Sequence, residues 1–189
     1  MTTTQINTTK HLILVTGPAR SGKSEWAETL AMRGKKSVIY IATAQIDPND
    51  LEWLGRIERH QRRRPSDWTT LEVSVDLAAT VRQAIASECL LVDSLGTWVA
   101  NILEQDNQLW ENTLEDLLDS LQQTASDIIL VAEETGWGVV PAYKSGRTFR
   151  DRLGTLVRRV GAISNPTYLV TGGYVLNLNV LGSPLPANS

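Results

Sequence analysis

Short apolar runs, each bounded by polar or glycine-bearing sequence, recur along the chain: LILVT (Leu12–Thr16), SVIYIAT (Ser37–Thr43), CLLVD (Cys89–Asp93), IILVAE (Ile128–Glu133) and TYLVT (Thr167–Thr171). Continuous apolar runs of this length read as strands buried on both faces. Between them lie segments of helical period: Lys23–Arg33, Asp50–Arg63, Leu77–Ser87, Leu95–Glu104, Leu109–Gln123 and Thr148–Ser164. Pro48 and Asn49 provide initiation signals for the second of these. WTTLEV adds a candidate strand and YVLNLNV a candidate edge or hairpin strand. The alternation predicts an α/β fold, a mostly parallel sheet with helices on both faces. One domain over 11–181 is expected, between a polar tail at 1–10 and a loose tail at 182–189.

Composition narrows the class. The 189 residues are enough for one core, with 42% hydrophobic and 21% charged positions, the balance of a soluble globular chain. A net charge of −3 argues against a dedicated nucleic-acid surface. The single cysteine, Cys89, excludes an intrachain disulfide and suits a reducing compartment. The opening MTTTQINTTK lacks the apolar centre of a signal peptide, and no apolar run is long enough to span a bilayer. A cytoplasmic protein is expected.

The candidate chemistry begins at GPARSGKS, Gly17–Ser24, between the first strand and the first helix. Gly17 and Gly22 permit the close approach and torsions of a loop that wraps phosphate. Backbone N–H groups and the helix N-terminus then face the anion. Lys23 adds charge over the outer phosphates, and Ser24 is a ligand for the Mg²⁺ that bridges them. With no nucleotide bound, the Lys23 ammonium is expected to face solvent. Arg20 either touches phosphate or points outward. No Asn-Lys-x-Asp guanine-reading motif occurs. The second acid for the metal is expected at a strand end, where Asp93 and Glu133 compete; Asp93 closes the cleaner strand and is followed by the small Ser94.

His60 stands in RIERHQRRRP, where Leu51, Leu54 and Ile57 precede it at helical spacing. Arg56, Arg59, Arg62, Arg63 and Arg64 surround it. On the residues alone a solvated basic helix end fits well, since cations there complement the helix dipole. The alternative is an imidazole nucleophile kept neutral by neighbouring cations.

LILVTGPARSGKS, VIYIATAQI, RIERHQRRRPSDWTTLE, LLVDSLGTWVANIL and GWGVVP…RTFRDRLGTLVRRV together cover most of residues 12–172. In this order they resemble the bifunctional adenosylcobinamide kinase/adenosylcobinamide-phosphate guanylyltransferase family of cobalamin synthesis. The resemblance implies a P-loop fold of RecA-like type and a homotrimer. It implies phosphorylation of adenosylcobinamide by a nucleoside triphosphate (GTP, with ATP left open). GMP transfer from GTP through a histidine–GMP intermediate would follow. Residue by residue, Gly17, Pro18, Ala19, Arg20, Ser21, Gly22, Lys23 and Ser24 match the triphosphate loop. Ala42, Thr43 and Ala44 match a segment lining the nucleotide, and His60 matches the guanylylated histidine. Gln61, Arg62, Arg63 and Arg64 match the nucleotide-contacting run beside it, Glu72 a further contact, and Asp93 the acidic strand end. Some members carry two adjacent histidines, whereas here Arg59 precedes His60. A phosphate-loop kinase without guanylyl transfer, and a nucleotide-binding regulator without chemistry, are the rival classes.

Overall fold

The computed structural model describes residues 10–45, 49, 55, 58 and 61–186. Among the described residues, seven strands form one sheet in the order β3-β2-β4-β5-β1-β6-β7. They are β1 (Leu12–Gly17), β2 (Ser37–Ala42), β3 (Thr69–Glu72), β4 (Glu88–Asp93), β5 (Asp127–Glu133), β6 (Thr167–Thr171) and β7 (Tyr174–Asn177). All pairings are parallel except β6–β7. The helices are α1 (Lys23–Arg33), α2 (Leu77–Gln83), α3 (Leu95–Asn101), α4 (Asn107–Gln123), α5 (Lys144–Ile163) and the short α6 (Leu178–Leu181).

Strand periodicity splits the core in two. Leu12, Leu14, Leu90, Val92, Ile128 and Leu130 face α2, α3, α4 and α5, where Leu77, Trp98, Leu114, Leu117 and Leu156 are buried. Val15, Val38, Tyr40, Leu91, Ile129 and Val131 face α1, which meets them with Ala27 and Ala31. The small alanines bring α1 close to the sheet, and Trp26 packs edge-to-face on Tyr168 at 5.7 Å. In α4 the apolar positions Trp110, Leu114, Leu117, Leu118 and Leu121 trace one helical stripe, and the Asp106 carboxylate caps the helix by accepting from the Leu109 amide.

Three helix boundaries differ from the sequence reading by three residues or more. The segment expected to run to Glu104 stops at Asn101. The carbonyls of Leu103 and Gln105 instead accept from the guanidinium of Arg152, a buried arginine of α5. The helix expected to reach Ser87 stops at Gln83, because the Glu88 carboxylate accepts from the Ile85 amide and opens a turn. The last long helix begins at Lys144 rather than Thr148. There Arg147 donates to the carbonyls of Pro141 and Ala142, and Gly146 lies so near Pro141 that a Cβ would stand 2.8 Å away. YVLNLNV divides into β7 and α6, with Gly172 and Gly173 at φ 57° and 81° making the two-residue hairpin turn. Most of the helix expected over 50–63 lies outside the described residues; Gly55, Glu58 and residues 61–63 are helical.

Candidate active site

The strand register brings the candidate residues to one edge. Gly17 pairs with Glu133, and Ala42 pairs with both Asp93 and Glu72. All of them therefore lie at the carboxyl ends of parallel strands, the edge at which open α/β sheets bind ligands.

At that edge β1 passes into the loop through Gly17. A Cβ on Gly17 would stand 2.3 Å from the Val170 carbonyl oxygen of β6 and 2.7 Å from Ser21 Oγ, so only glycine lets the loop turn there. Ser21 N–H donates to the Pro18 carbonyl, Arg20 takes φ 59°, and Gly22 takes φ 92°. Gly22 gives α1 no side-chain cap, which leaves its first-turn amides for an anion. Arg20 is exposed. Lys23 departs from the expectation of a solvent-facing ammonium: it is 8% exposed, and Nζ folds back 3.4 Å from the Pro18 carbonyl oxygen.

The two competing acids have different surroundings. Asp93 is half-buried and accepts a 2.9 Å hydrogen bond from the Tyr40 hydroxyl. Glu133 accepts from the Gly96 amide at 3.0 Å, and a Cβ at Gly96 would stand 2.0 Å from its Oε2. Burial holds the Glu133 carboxyl above the usual carboxylate range, against the pull of Ser94 and of the Lys23 charge. Burial also keeps the Tyr40 phenol protonated, with Asp93 acting in the same direction. Glu134 binds the loop's strand instead, accepting from Thr16 Oγ1 at 2.6 Å and donating its amide to the Gly17 carbonyl.

Thr43 is fully buried, and its hydroxyl donates to the Ser94 carbonyl and accepts from the Ser94 amide. Asn101 Nδ2 donates to the carbonyls of Thr43 and Ser74. The Ala42–Ala44 segment is thus locked to the end of β4, and its Thr43 side chain is occupied within the protein. Glu72 is exposed at the end of β3.

The nucleophile proposed on sequence, His60, lies outside the described residues, as do Arg56 and Arg59; the residues that follow it are described. Gln61 is exposed, and Arg62 pairs with Glu58 one turn back at 3.4 Å. Arg63 reaches α1, bonding Glu25 and, at 3.3 Å, Glu28. The Arg64 guanidinium lies over the Tyr40 ring, 3.5 Å from its centroid, and donates to Thr70 Oγ1. In this arrangement the arginines expected at phosphate are engaged with protein groups. Sequence reading missed Tyr40, Gly96 and Asn101; the tyrosine interrupting the aliphatic run SVIYIAT was the available signal.

Oxygen donors from Ser24 and Asp93 suit a hard cation. No group of three or more metal-ligating side chains clusters among the described residues, so a cation here would draw its other ligands from water and phosphate, as Mg²⁺ commonly does. No helix among the described residues is long and apolar enough to cross a membrane.

Comparison with known proteins agrees with this geometry. A solved structure from Pyrococcus horikoshii, titled as the study of PH0250, aligns with a TM-score of 0.54 at 8% identity, covering 89% of this chain and 85% of that one. That likeness concerns the fold alone, an α/β architecture on a mostly parallel sheet. The bifunctional adenosylcobalamin biosynthesis protein CobP of Pseudomonas aeruginosa is 43% identical over 91% of this chain and 98% of its own length. CobU of Escherichia coli, described in the same words, is 36% identical over 86% of this chain and 96% of its own. The family model for cobinamide kinase / cobinamide phosphate guanyltransferase matches residues 13–178, from β1 to the first residue of α6. With relatives matched along nearly their whole length and the phosphate loop inside the matched span, the chain belongs to the cobinamide kinase / cobinamide phosphate guanyltransferase family.

Proposed function

We propose that the protein phosphorylates adenosylcobinamide with a nucleoside triphosphate and then transfers GMP from GTP to that phosphate through a guanylylated His60, giving adenosylcobinamide-GDP. The family supplies the two reaction classes. The observation that carries a shared triphosphate site is the glycine-only junction at Gly17, opening on the uncapped N-terminus of α1.

In the first reaction the corrinoid hydroxyl oxygen bonds to the γ-phosphorus and loses its proton to solvent, the bond from the γ-phosphorus to the bridging oxygen breaks, and the nucleoside diphosphate leaves. Lys23, already inside the loop, exchanges the Pro18 carbonyl for phosphate oxygens and offsets the charge of the leaving group. Ser24 and Asp93 would hold Mg²⁺, which would supply electrostatic stabilisation of the triphosphate. In the second reaction a neutral His60 nitrogen bonds to the α-phosphorus of GTP and pyrophosphate leaves. The corrinoid phosphate then takes the GMP and frees the imidazole. The loop Gly17–Ser24, Ala42–Ala44, Gln61–Arg64, Glu72 and Asp93 surround the nucleotide in this reading, and ATP remains an alternative phosphoryl donor.

Support for His60 comes from the chain just beyond it. Arg63 holds Glu25 and Glu28 of the helix that opens the phosphate site, and Arg64 lies over Tyr40 beneath the end of β4. A homotrimer belongs to the same reading; Tyr174, Val180 and Leu181, 74%, 78% and 65% exposed, offer apolar surface for it. We place the protein in the cytoplasm because its relatives are biosynthetic proteins and its one thiol, Cys89, is free.

GTP labelled at the α-phosphate is the direct test. The protein should retain label that is stable in base and lost in acid, and the label should pass to adenosylcobinamide phosphate. Protein that phosphorylates the corrinoid yet never takes up label would be a kinase alone.

A further inference from the structure

We propose that Tyr40 is a positioning residue that orients Asp93 and, through Arg64 stacked on its ring, makes Mg²⁺-linked nucleotide binding depend on how the 61–64 segment is docked. The proposal rests on the reading of Asp93 as the metal carboxylate.

The local structure builds this link from the strands upward. Tyr40 and Leu91 pair across β2 and β4, and two residues further on Ala42 pairs with Asp93. Tyr40 is thus a diagonal neighbour of Asp93, within reach of a long aromatic side chain. Its ring is 2% exposed in the α1-side core, and its hydroxyl meets Asp93 Oδ2 at 2.9 Å. Phenylalanine would fill the same core volume; a buried hydroxyl needs an acceptor, and Asp93 is that acceptor. A hydrogen bond to one carboxylate oxygen restrains rotation of the group and so fixes where its other oxygen points.

The second half of the link is Arg64. Its guanidinium carbon is 3.5 Å from the Tyr40 ring centroid, Nη1 donates to Thr70 at 3.2 Å, and Nε is buried without a hydrogen-bond partner among the described residues. The ring face is therefore a principal contact of this cation. A cation on the ring polarises the phenol and strengthens its donation to Asp93. Arg64 lies four residues after His60, so the same contact reports whether that stretch of chain is seated. Because linkage is reciprocal, Mg²⁺–nucleotide binding also favours the seated segment.

The test measures affinity for guanosine 5′-(β,γ-imido)triphosphate with and without Mg²⁺ and reads the ratio of the two. Tyr40→Phe should lower the ratio about tenfold and leave Mg²⁺-free affinity unchanged, the scale of a lost partner to a metal ligand. Arg64→Ala should lower the ratio about two- to fivefold, with Arg64→Lys intermediate. In the Tyr40→Phe background Arg64→Ala should lower it no further, since its route to Asp93 is gone. A wild-type ratio in Tyr40→Phe, or effects of the two changes that simply multiply, overturns the coupling. Asp93→Asn, run in parallel, separates the two failures. An unchanged ratio there removes the metal reading and the coupling with it. A reduced ratio there, beside an unchanged one in Tyr40→Phe, removes the coupling alone. Unaltered Mg²⁺-free affinity in Tyr40→Phe shows that the variant is folded.

Discussion

The loop from Gly17 to Ser24 and the segment from Gln61 to Arg64 both belong to the proposed nucleotide site, but they are held in different ways. Backbone fixes the first: Gly17 lies against the Val170 carbonyl, and the chain turns through Arg20 and Gly22 at positive φ. Side chains fix the second: Arg63 on two carboxylates of α1 and Arg64 on the Tyr40 ring. Steric fit of this kind permits few arrangements, whereas an ion pair and a stack exchange readily for other anions. In the proposed mechanism, a loop that receives triphosphate in both reactions benefits from the first. A segment next to the proposed nucleophile His60, needed in only one reaction, benefits from the second.

His60→Ala should divide the two regions most sharply. Guanylyl transfer and protein labelling should vanish, while adenosylcobinamide is still phosphorylated and accumulates as its phosphate, because the first reaction uses the substrate's own hydroxyl. Equal loss of both reactions would make His60 part of the shared nucleotide site. Lys23→Ala should instead depress both reactions together, by about 10²–10³ in rate, the usual cost of a preorganised charge donor. Assays at saturating Mg²⁺–GTP read this directly, and a selective effect on either reaction would show that the loop is not shared.

Gly17→Ala tests the backbone side of the comparison. Its Cβ would meet a main-chain carbonyl at 2.3 Å, which no rotamer change relieves. Overpacking of this sort costs about 1–3 kcal/mol. Denaturant unfolding should show that loss, with nucleotide affinity falling alongside it. Undiminished stability would mean that β6 yields and that the loop is less constrained than its geometry implies.

How much of this was legible differs between the same two regions. The loop was readable because each of its requirements is local: a strand, two glycines, a lysine, a serine and a helix in sequence. The central strands β1, β2, β4 and β5 were readable too, since each is a mostly aliphatic run largely buried between the two helical layers. What escaped notice depends on distant pairs. Tyr40 looked like one more core residue until the β2–β4 register set it below Asp93. Helix α3 ends early because Arg152, far along the chain, takes the carbonyls of Leu103 and Gln105. The expectation of an exposed Lys23 failed because it ignored the carbonyl of Pro18 within the same loop.

Glu133→Gln gives a smaller effect with a definite sign. Burial raises the carboxyl's pKa in the folded state, so folding favours the protonated form. The wild type therefore loses stability as pH rises from the ordinary carboxylate pKa through the raised one. Glutamine mimics the protonated acid and keeps an oxygen for the Gly96 amide. The variant should match the wild type at low pH and melt higher at neutral pH. A melting difference independent of pH would trace the effect to packing instead.

Arg63→Ala should produce the smallest change in global stability. The Arg63 side chain is 35% exposed and that of Glu25 56%, and ion pairs in such settings contribute less than about 1 kcal/mol. Glu28 is more buried, but its bond to Arg63 is the longer one and the same guanidinium serves both acids. The loss should shrink further in high salt, where the wild-type pairs are screened. Locally the change is larger, because Arg63 ties the segment to Glu25 and Glu28 of α1. Limited proteolysis should therefore cut the variant faster around residues 61–64 while the melting temperature scarcely moves. Arg63→Lys should recover only part of the protection, since one ammonium cannot bridge two carboxylates as a planar fork does. If instead the free energy of unfolding falls by several kcal/mol with no local gain in cleavage, the segment is an integral part of the core. The contrast between a backbone-fixed loop and a side-chain-fixed segment would then fail.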